Sequence, residues 1–104
     1  METHNPDRWV IIEMKTKEYG TIHKVLGSWS GGYLDGDSWR MSSGLEKVET
    51  EGDYYLMYNV SGSIYKCHKR MNGLTIVSSP VFEQLREEVG AKLISVSEFK
   101  KEKK

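Results

Sequence analysis

The segment Arg8-Trp-Val-Ile-Ile-Glu-Met14 decides the fold. Its β-branched and aromatic residues predict a first strand. Side chains alternate between the two faces of a strand, which places Trp9 and Ile11 on one face and Val10, Ile12 and Met14 on the other. Because both faces are apolar, we expect this strand to be central in its sheet or covered on both sides.

The residues downstream predict more strands, separated by tight turns. We expect these strands at 21–26, 45–50, 54–58, 63–69 and 74–77, with a last one at 92–97. Between the first two of them lies the glycine-rich stretch from Gly27 to Gly44, with Asp35-Gly36 near its centre. Asp-Gly is a strong signal for a tight hairpin turn. The stretch therefore predicts a hairpin with strands near Ser30–Leu34 and Ser38–Ser42.

The hydrophobic period changes to that of a helix after residue 78. Ser79 is a candidate N-cap, Pro80 suits the first helical position and Gly90 suits the C-terminal cap. An apolar stripe at helical spacing runs between them and consists of Val81, Phe82, Leu85 and Val89. The pattern predicts a helix at Pro80–Val89. The fold class is then α+β, a mostly antiparallel twisted sheet or partial barrel of five to seven strands with one C-terminal helix.

Length and composition narrow the class of protein. The chain has 104 residues, which favours a single globular domain at residues 1–97, followed by a frayed lysine-rich tail at 98–104. Fifteen basic and fifteen acidic side chains disfavour a strongly basic nucleic-acid binder and an acidic DNA mimic. The lone Cys67 excludes an intramolecular disulfide and fits a reducing compartment. No signal-peptide core or membrane-length apolar run is present, so we expect a cytoplasmic protein.

Motifs for catalysis or metal binding are weak. Cys67 and His68 are neighbours on a predicted strand and point to opposite faces, so they cannot form a thiol–imidazole pair, and Cys67 fits a buried core position. The three histidines share no metal-binding spacing. Asp35-Gly-Asp37 lacks the remaining ligands of a calcium loop. The sequence therefore predicts no catalytic residues, no metal site and no cofactor, and it leans against an enzyme.

The candidate binding residues lie in the glycine-rich hairpin and are Trp29, Tyr33, Trp39 and Arg40. Clustered Trp, Tyr and Arg are typical of binding hot spots. The alternative is that the large rings fill a small core. We expect the core role for Trp9 and Trp39, whereas both interpretations stay open for Tyr33 and Arg40.

The run from Gly27 to Gly44, together with Ser61-Gly-Ser-Ile-Tyr65, resembles small accessory proteins of tailed bacteriophages. This resemblance implies the cytoplasm of an infected bacterium and action by binding a host component. The first hypothesis is thus a non-enzymatic protein that binds a macromolecule, most of all another protein, through the aromatic and arginine surface of the hairpin.

Two other functions stay open. A single-stranded nucleic-acid binder would stack bases on the same aromatics, with Arg40 and Lys24 on phosphate and the lysine tail as an electrostatic aid. A small-ligand-binding protein or small enzyme would line a pocket beside the hairpin with His23, His68 or carboxylates. We also expect a homodimer formed through an exposed edge strand.

Overall fold

The described part of the chain contains eight strands, two α-helices and one short 3₁₀ helix at Lys69–Met71. They are seen in a computed structural model that describes residues 2–32 and 36–102. The strands are β1 (Thr3–His4), β2 (Arg8–Thr16), β3 (Gly20–Gly32), β4 (Gly36–Met41), β5 (Leu45–Glu51), β6 (Tyr54–Asn59), β7 (Ile64–His68) and β8 (Lys92–Ile94). The helices are α1 (Ser79–Val89) and α2 (Val96–Glu102).

The strands form two four-stranded sheets. The outer sheet has the order β1-β7-β6-β5 and the central sheet the order β4-β3-β2-β8. All neighbours are antiparallel except β1 and β7, which are parallel. The α+β class and the mostly antiparallel pairing are therefore confirmed. The described residues form eight strands in two sheets, in place of five to seven in one sheet or partial barrel. The sheet divides because the chain crosses between the two sheets after β1, after β4 and after β7.

The central sheet lies between two hydrophobic clusters. On one face Trp9, Ile11 and Val25 pack against the outer sheet, where Met57 and Cys67 are fully buried. The side chains on the other face pack against Phe82 of α1. They are Val10, Ile12, Met14 and Leu26. The predicted central position of β2 is confirmed, since β3 and β8 flank it.

Helix α1 confirms the predicted helix, with small changes at its start. The N-cap is Ser78 rather than Ser79, and the Ser78 hydroxyl accepts a hydrogen bond from the Thr75 N–H instead of capping the helix. Gly90 ends the helix in the left-handed conformation at φ 67°, which costs glycine little because it has no Cβ. Phe82 anchors the helix in the core, whereas Val89 is exposed.

The strand predicted at 74–77 is wrong. Thr75 and Ser78 bond each other's backbone N–H groups through their hydroxyls, and the Ser79 N–H donates to the Thr75 carbonyl. Short polar side chains that satisfy the local backbone in this way favour a turn over a ladder. Ile76, whose apolar character suggested the strand, is 83% exposed.

The last predicted strand is shorter than expected, and a helix follows it. Only Lys92–Ile94 pairs in a sheet, and helix α2 follows at once. The Ser95 hydroxyl accepts from the Glu98 N–H while the Glu98 carboxylate accepts from the Ser95 N–H, which is a capping box. Phe99 is buried in the core, so residues 98–102 are helical where fraying was expected. No helix among the described residues is long and apolar enough to span a membrane.

Candidate functional site

The glycine-rich stretch pairs as a hairpin, made by the end of β3 and by β4. Its first arm is not the separate strand predicted near Ser30–Leu34, because β3 continues the strand predicted at 21–26 without a break to Gly32. The pairing runs from Leu26 opposite Met41 to Gly32 opposite Gly36, with an irregularity between Trp29 and Gly32. Gly31 adopts φ 71° there, and its N–H donates to the Asp37 carboxylate. Of the predicted turn pair, Asp35 lies outside the described residues, whereas Gly36 belongs to β4 and pairs with Gly32.

The structure brings three of the four predicted binding residues to one cleft. Trp29, Trp39 and Arg40 line an open cleft of about 540 Å³ together with Ser38 and the N-terminal residues Thr3, His4 and Asn5. We call it the hairpin cleft. The fourth residue, Tyr33, lies outside the described residues.

The side chains around the hairpin cleft come from both faces of the central sheet. Trp39 lies opposite Ser28 and Arg40 opposite Gly27, so the two side chains point to opposite faces. Arg40 shares the face of Trp29, which looks toward the outer sheet. Because β4 is the last strand of its sheet, both Trp39 and Arg40 border the cleft at the sheet edge.

The tryptophans divide between core and surface. Trp9 is buried as expected and donates from Nε1 to the His68 carbonyl at 2.7 Å. Trp29 is partly buried and donates to the Asn5 carbonyl at 2.8 Å. The expectation of a core position for Trp39 is wrong, since 49% of it is exposed. Strand β4 is the sheet edge, and its first five residues are all exposed, so little covers this ring.

The N-terminal segment builds the other wall of the hairpin cleft. The Asp7 N–H donates to the Ser28 carbonyl, and the Asp7 carboxylate accepts from the Ser30 N–H at 2.7 Å. The His4 ring lies edge-on to Trp29, with centroids 6.4 Å apart. These contacts hold residues 4–7 along β3, so the cleft is shaped by segments that are distant in the sequence.

The side chains of Cys67 and His68 point to opposite faces of their strand, as their adjacent positions predict. Cys67 is fully buried, and burial raises the pKa of its thiol well above its usual range. His68 is half-buried on the opposite face, and its Nδ1 accepts from the Arg70 N–H. Together with Asp7, Tyr54 and Lys66, His68 lines a second open cleft of about 550 Å³.

A buried polar cluster lies elsewhere, where β2, β3, β8 and α2 meet. Glu13 and His23 are only 4% and 6% exposed, and they face each other across the β2–β3 ladder. Nε2 of His23 is 3.1 Å from Oε1 of Glu13 and 3.1 Å from Oε2 of Glu102. Lys92 places Nζ 3.2 Å from the other oxygen of Glu13, Oε2. We call these four side chains the Glu13 cluster.

Opposing effects set the charge of Glu13. Burial by itself raises the pKa of this carboxyl group, because desolvation penalises the charged form. Hydrogen bonds shared with Glu102, His23 and Lys92, together with the positive charge of Lys92, outweigh burial and lower the pKa below its ordinary value. The buried carboxylate is thus held ionised by its partners.

His23 was a candidate pocket residue, but the sequence patterns predicted neither Glu13 nor Glu102 as its neighbours, and the cluster lies away from the hairpin. One signal was present: residues 17–19 form the turn between β2 and β3, and counting outward from it pairs Glu13 with His23. No such signal existed for Glu102, which reaches the cluster only because α2 folds back onto the sheet. The expected absence of metal-binding spacing therefore overlooked a set of ligand-type side chains that the fold assembles.

The clefts and the Glu13 cluster have to be interpreted from their own chemistry. Comparisons with protein-family models, with curated protein sequences and with solved structures found no match.

Proposed function

We propose that this chain is a binding protein that recognises an extended segment of another protein along the open edge of β4. One observation carries the proposal. Strand β4 is the terminal strand of the central sheet, residues 36–40 are all exposed, and three side chains of the hot-spot type border the cleft at this edge.

The backbone of β4 supports strand addition. The Ser42 N–H donates to the Val25 carbonyl, so the alternation of an antiparallel ladder directs the N–H and C=O groups of Ser38 and Arg40 toward β3. The same alternation directs those of Trp39 and Met41 away from β3, toward the open side. An extended peptide could bond these outward groups and extend the sheet by one strand.

The side chains at the edge indicate which peptide would fit. Trp39 offers a half-exposed aromatic surface on one face, and the guanidinium of Arg40 lies on the other face beside Trp29. Successive residues of an added strand also point to opposite faces. A segment that alternates an apolar with an acidic residue therefore matches this edge. The resemblance to phage accessory proteins, which stays a prediction, would make the partner a host protein.

The test uses two substitutions at one position. The full chain, immobilised, captures partners from bacterial lysate, and captured proteins are re-measured as purified pairs. Trp39→Ala removes the ring, and Trp39→Pro also removes the outward N–H without breaking the bonds to β3. We expect Trp39→Ala to weaken binding at least tenfold and Trp39→Pro to abolish it. Tyr19→Ala, which removes a ring that is 77% exposed in the β2–β3 turn, is the control and should bind normally.

Other outcomes of the same experiment would replace the proposal. A partner that binds the folded Trp39→Pro variant as tightly as the parent chain would exclude the β4 edge. Binding of single-stranded DNA that weakens steeply with salt would favour the nucleic-acid hypothesis. A dimer in sedimentation that Trp39→Pro dissociates would make a second copy of this chain the occupant of the edge.

A further inference from the structure

We propose that Glu13, His23 and Glu102 bind a divalent transition-metal ion. This site lies in the Glu13 cluster and is separate from the β4 edge. The three side chains come from β2, β3 and α2, and their ligand atoms all lie within 4.8 Å of one another.

The distances suit one ion shared by three ligands. Nε2 of His23 lies 3.1 Å from a carboxylate oxygen on each side, Oε1 of Glu13 and Oε2 of Glu102. Metal–ligand bonds to imidazole nitrogen and carboxylate oxygen are about 2.0–2.2 Å long, so atoms roughly 3 Å apart can bond to the same ion. One ring nitrogen can carry only one proton, whereas an ion would satisfy its lone pair and both oxygens together.

The ligand types indicate the class of metal. One imidazole with two carboxylates favours Zn²⁺, Mn²⁺ or Fe²⁺, whereas Mg²⁺ and Ca²⁺ prefer sites made of oxygen alone. Three protein ligands leave at least one coordination position for water or another small ligand. Two negative carboxylates compensate a charge of +2, which favours binding at this largely buried position.

The surroundings orient the ligands as metal sites require. Lys92 contacts Oε2 of Glu13 and leaves Oε1 directed at His23, so the lysine fixes the carboxylate and does not compete for the ligand oxygen. The Phe99 ring stands edge-on to His23, with centroids 5.1 Å apart, and limits rotation of the imidazole.

An entry path is also present. A cavity of about 200 Å³ opens beside the site and is lined by Glu13, Lys92 and Glu102 together with Ile94, Glu98 and Lys101. Glu102 is 45% exposed and belongs to the last turn of α2, so its side chain can move to admit an ion.

The experiment titrates the full chain, stripped with a chelator, with Zn²⁺ in a calorimeter, and repeats the titration with Mn²⁺ and with Co²⁺. We expect one ion per chain, a higher melting temperature at saturation, and visible Co²⁺ absorption bands of a low-coordinate site. Glu102→Gln should weaken Zn²⁺ binding at least tenfold while the fold is retained, because this side chain is half-exposed. Glu87→Gln, an exposed carboxylate on α1, is the matched control.

Two further variants locate the ion. His23→Asn should abolish binding, and His68→Asn should leave it unchanged. The proposal is overturned if the folded parent chain binds none of the three ions, or if Glu102→Gln binds Zn²⁺ as tightly as Glu87→Gln. In either case the Glu13 cluster is an ion-pair network that holds α2 on the sheet. Because none of these variants touches β4, failure here leaves the proposed protein binding unaffected.

Discussion

The central sheet ends in β4 on one side and in β8 on the other. The two edge strands differ in length and in the element that follows them. Strand β4 has six residues, of which the first five are exposed. Strand β8 has three residues, and α2 follows it directly and buries Val96 and Phe99 in the core. The first two residues of β8 are exposed as well, so its short length is what limits pairing, whereas a long exposed edge invites it.

This difference separates two kinds of chemistry. The open edge presents outward backbone groups and a half-exposed tryptophan, which suit recognition of another chain. Beside the short edge strand β8, α2 packs onto the sheet next to Glu13 and His23, which are both buried. Burying a carboxylate and an imidazole costs free energy unless they have polar partners. The polar side chains of the Glu13 cluster therefore lie together at this place. One sheet thus carries both the proposed peptide-binding edge and the proposed ion site.

The largest expected effect comes from removing the buried side chain by which α2, the helix after β8, packs into the core. Phe99 is 1% exposed, and Phe99→Ala should lower the free energy of unfolding by about 3–5 kcal/mol, since the cavity replaces core contacts. Trp39→Ala at the open edge should cost less than about 1 kcal/mol because the ring is half-exposed. Urea unfolding of both variants measures the difference. Equal losses of unfolding free energy would show that Phe99 contributes no more to stability than the half-exposed Trp39.

The second effect is a loss of stability at high pH that depends on Tyr65. This residue lies in the core beneath the open edge and contacts His4. Burial raises the pKa of Tyr65 to about 12, from an ordinary value of 10.0. The folded state favours the neutral phenol of Tyr65. The contribution of this phenol to the free energy of unfolding is therefore complete below pH 10 and is lost as pH rises from 10 to 12. Two pKa units correspond to about 2–3 kcal/mol.

Urea unfolding at pH 9 and at pH 11.5 measures this loss. Tyr65→Phe should flatten the decline, and Tyr19→Phe should not, because Tyr19 is exposed. An identical decline in Tyr65→Phe and in the parent chain would show that Tyr65 is not the group responsible.

The third effect tests how the N-terminal segment supports the open edge. A Cβ on Gly27 would lie 2.9 Å from Cβ of Pro6, so Gly27→Ala should push residues 4–7 off β3 at a cost of about 1–3 kcal/mol. Faster hydrogen exchange of the Asp7 amide, which is bonded to Ser28, would accompany the loss. Gly44→Ala is the control, because it meets only the exposed Val60. If the Asp7 amide stays protected in Gly27→Ala, the segment is not held by this contact.

The smallest effect tests the capping box at the start of α2. Ser95→Ala removes the N-cap of α2 and should cost about 1 kcal/mol, whereas Ser97→Ala should cost much less. Hydrogen bonds from Ser95 lower the pKa of Glu98, so the stabilisation from Glu98 exists above its ordinary pKa of 4.5 and is lost as pH falls through the lowered value. The difference in unfolding free energy between Glu98→Gln and the parent chain should therefore shrink in acid, and a constant difference would show that the charge of Glu98 adds nothing to the capping box.

Much of the local structure follows from local sequence signals. The apolar faces of β2 and the apolar stripe of α1 each predict their element from a few neighbouring residues. The signals that failed were also local. Ser95 and Glu98 have the spacing of a capping box, but the preceding apolar residues favoured a strand that continues to Ser97. The apolar residues near Ile76 favoured a strand in the same way, although Thr75 and Ser78 close a turn there.

The candidate binding residues were predicted in part. Trp29, Trp39 and Arg40 do come together at one cleft, because a hairpin pairs its two arms whatever lies around it. Their exposure could not be predicted, since it depends on whether another strand covers β4. The N-terminal wall of the cleft was not predicted either, because hydrogen bonds such as that between Asp7 and Ser30 join residues far apart in the chain.

The sequence by itself determined the alternating strands, the helix α1 with its Gly90 cap and the α+β class, because periodicity and turn chemistry act between near neighbours. Only the tertiary structure decided which strands share a sheet, which edge stays open and which charged groups meet. Glu13 and Glu102 are 89 positions apart and contact the same imidazole nitrogen. Such contacts arise when sheets and helices pack to bury apolar surface, and packing is a property of the whole chain.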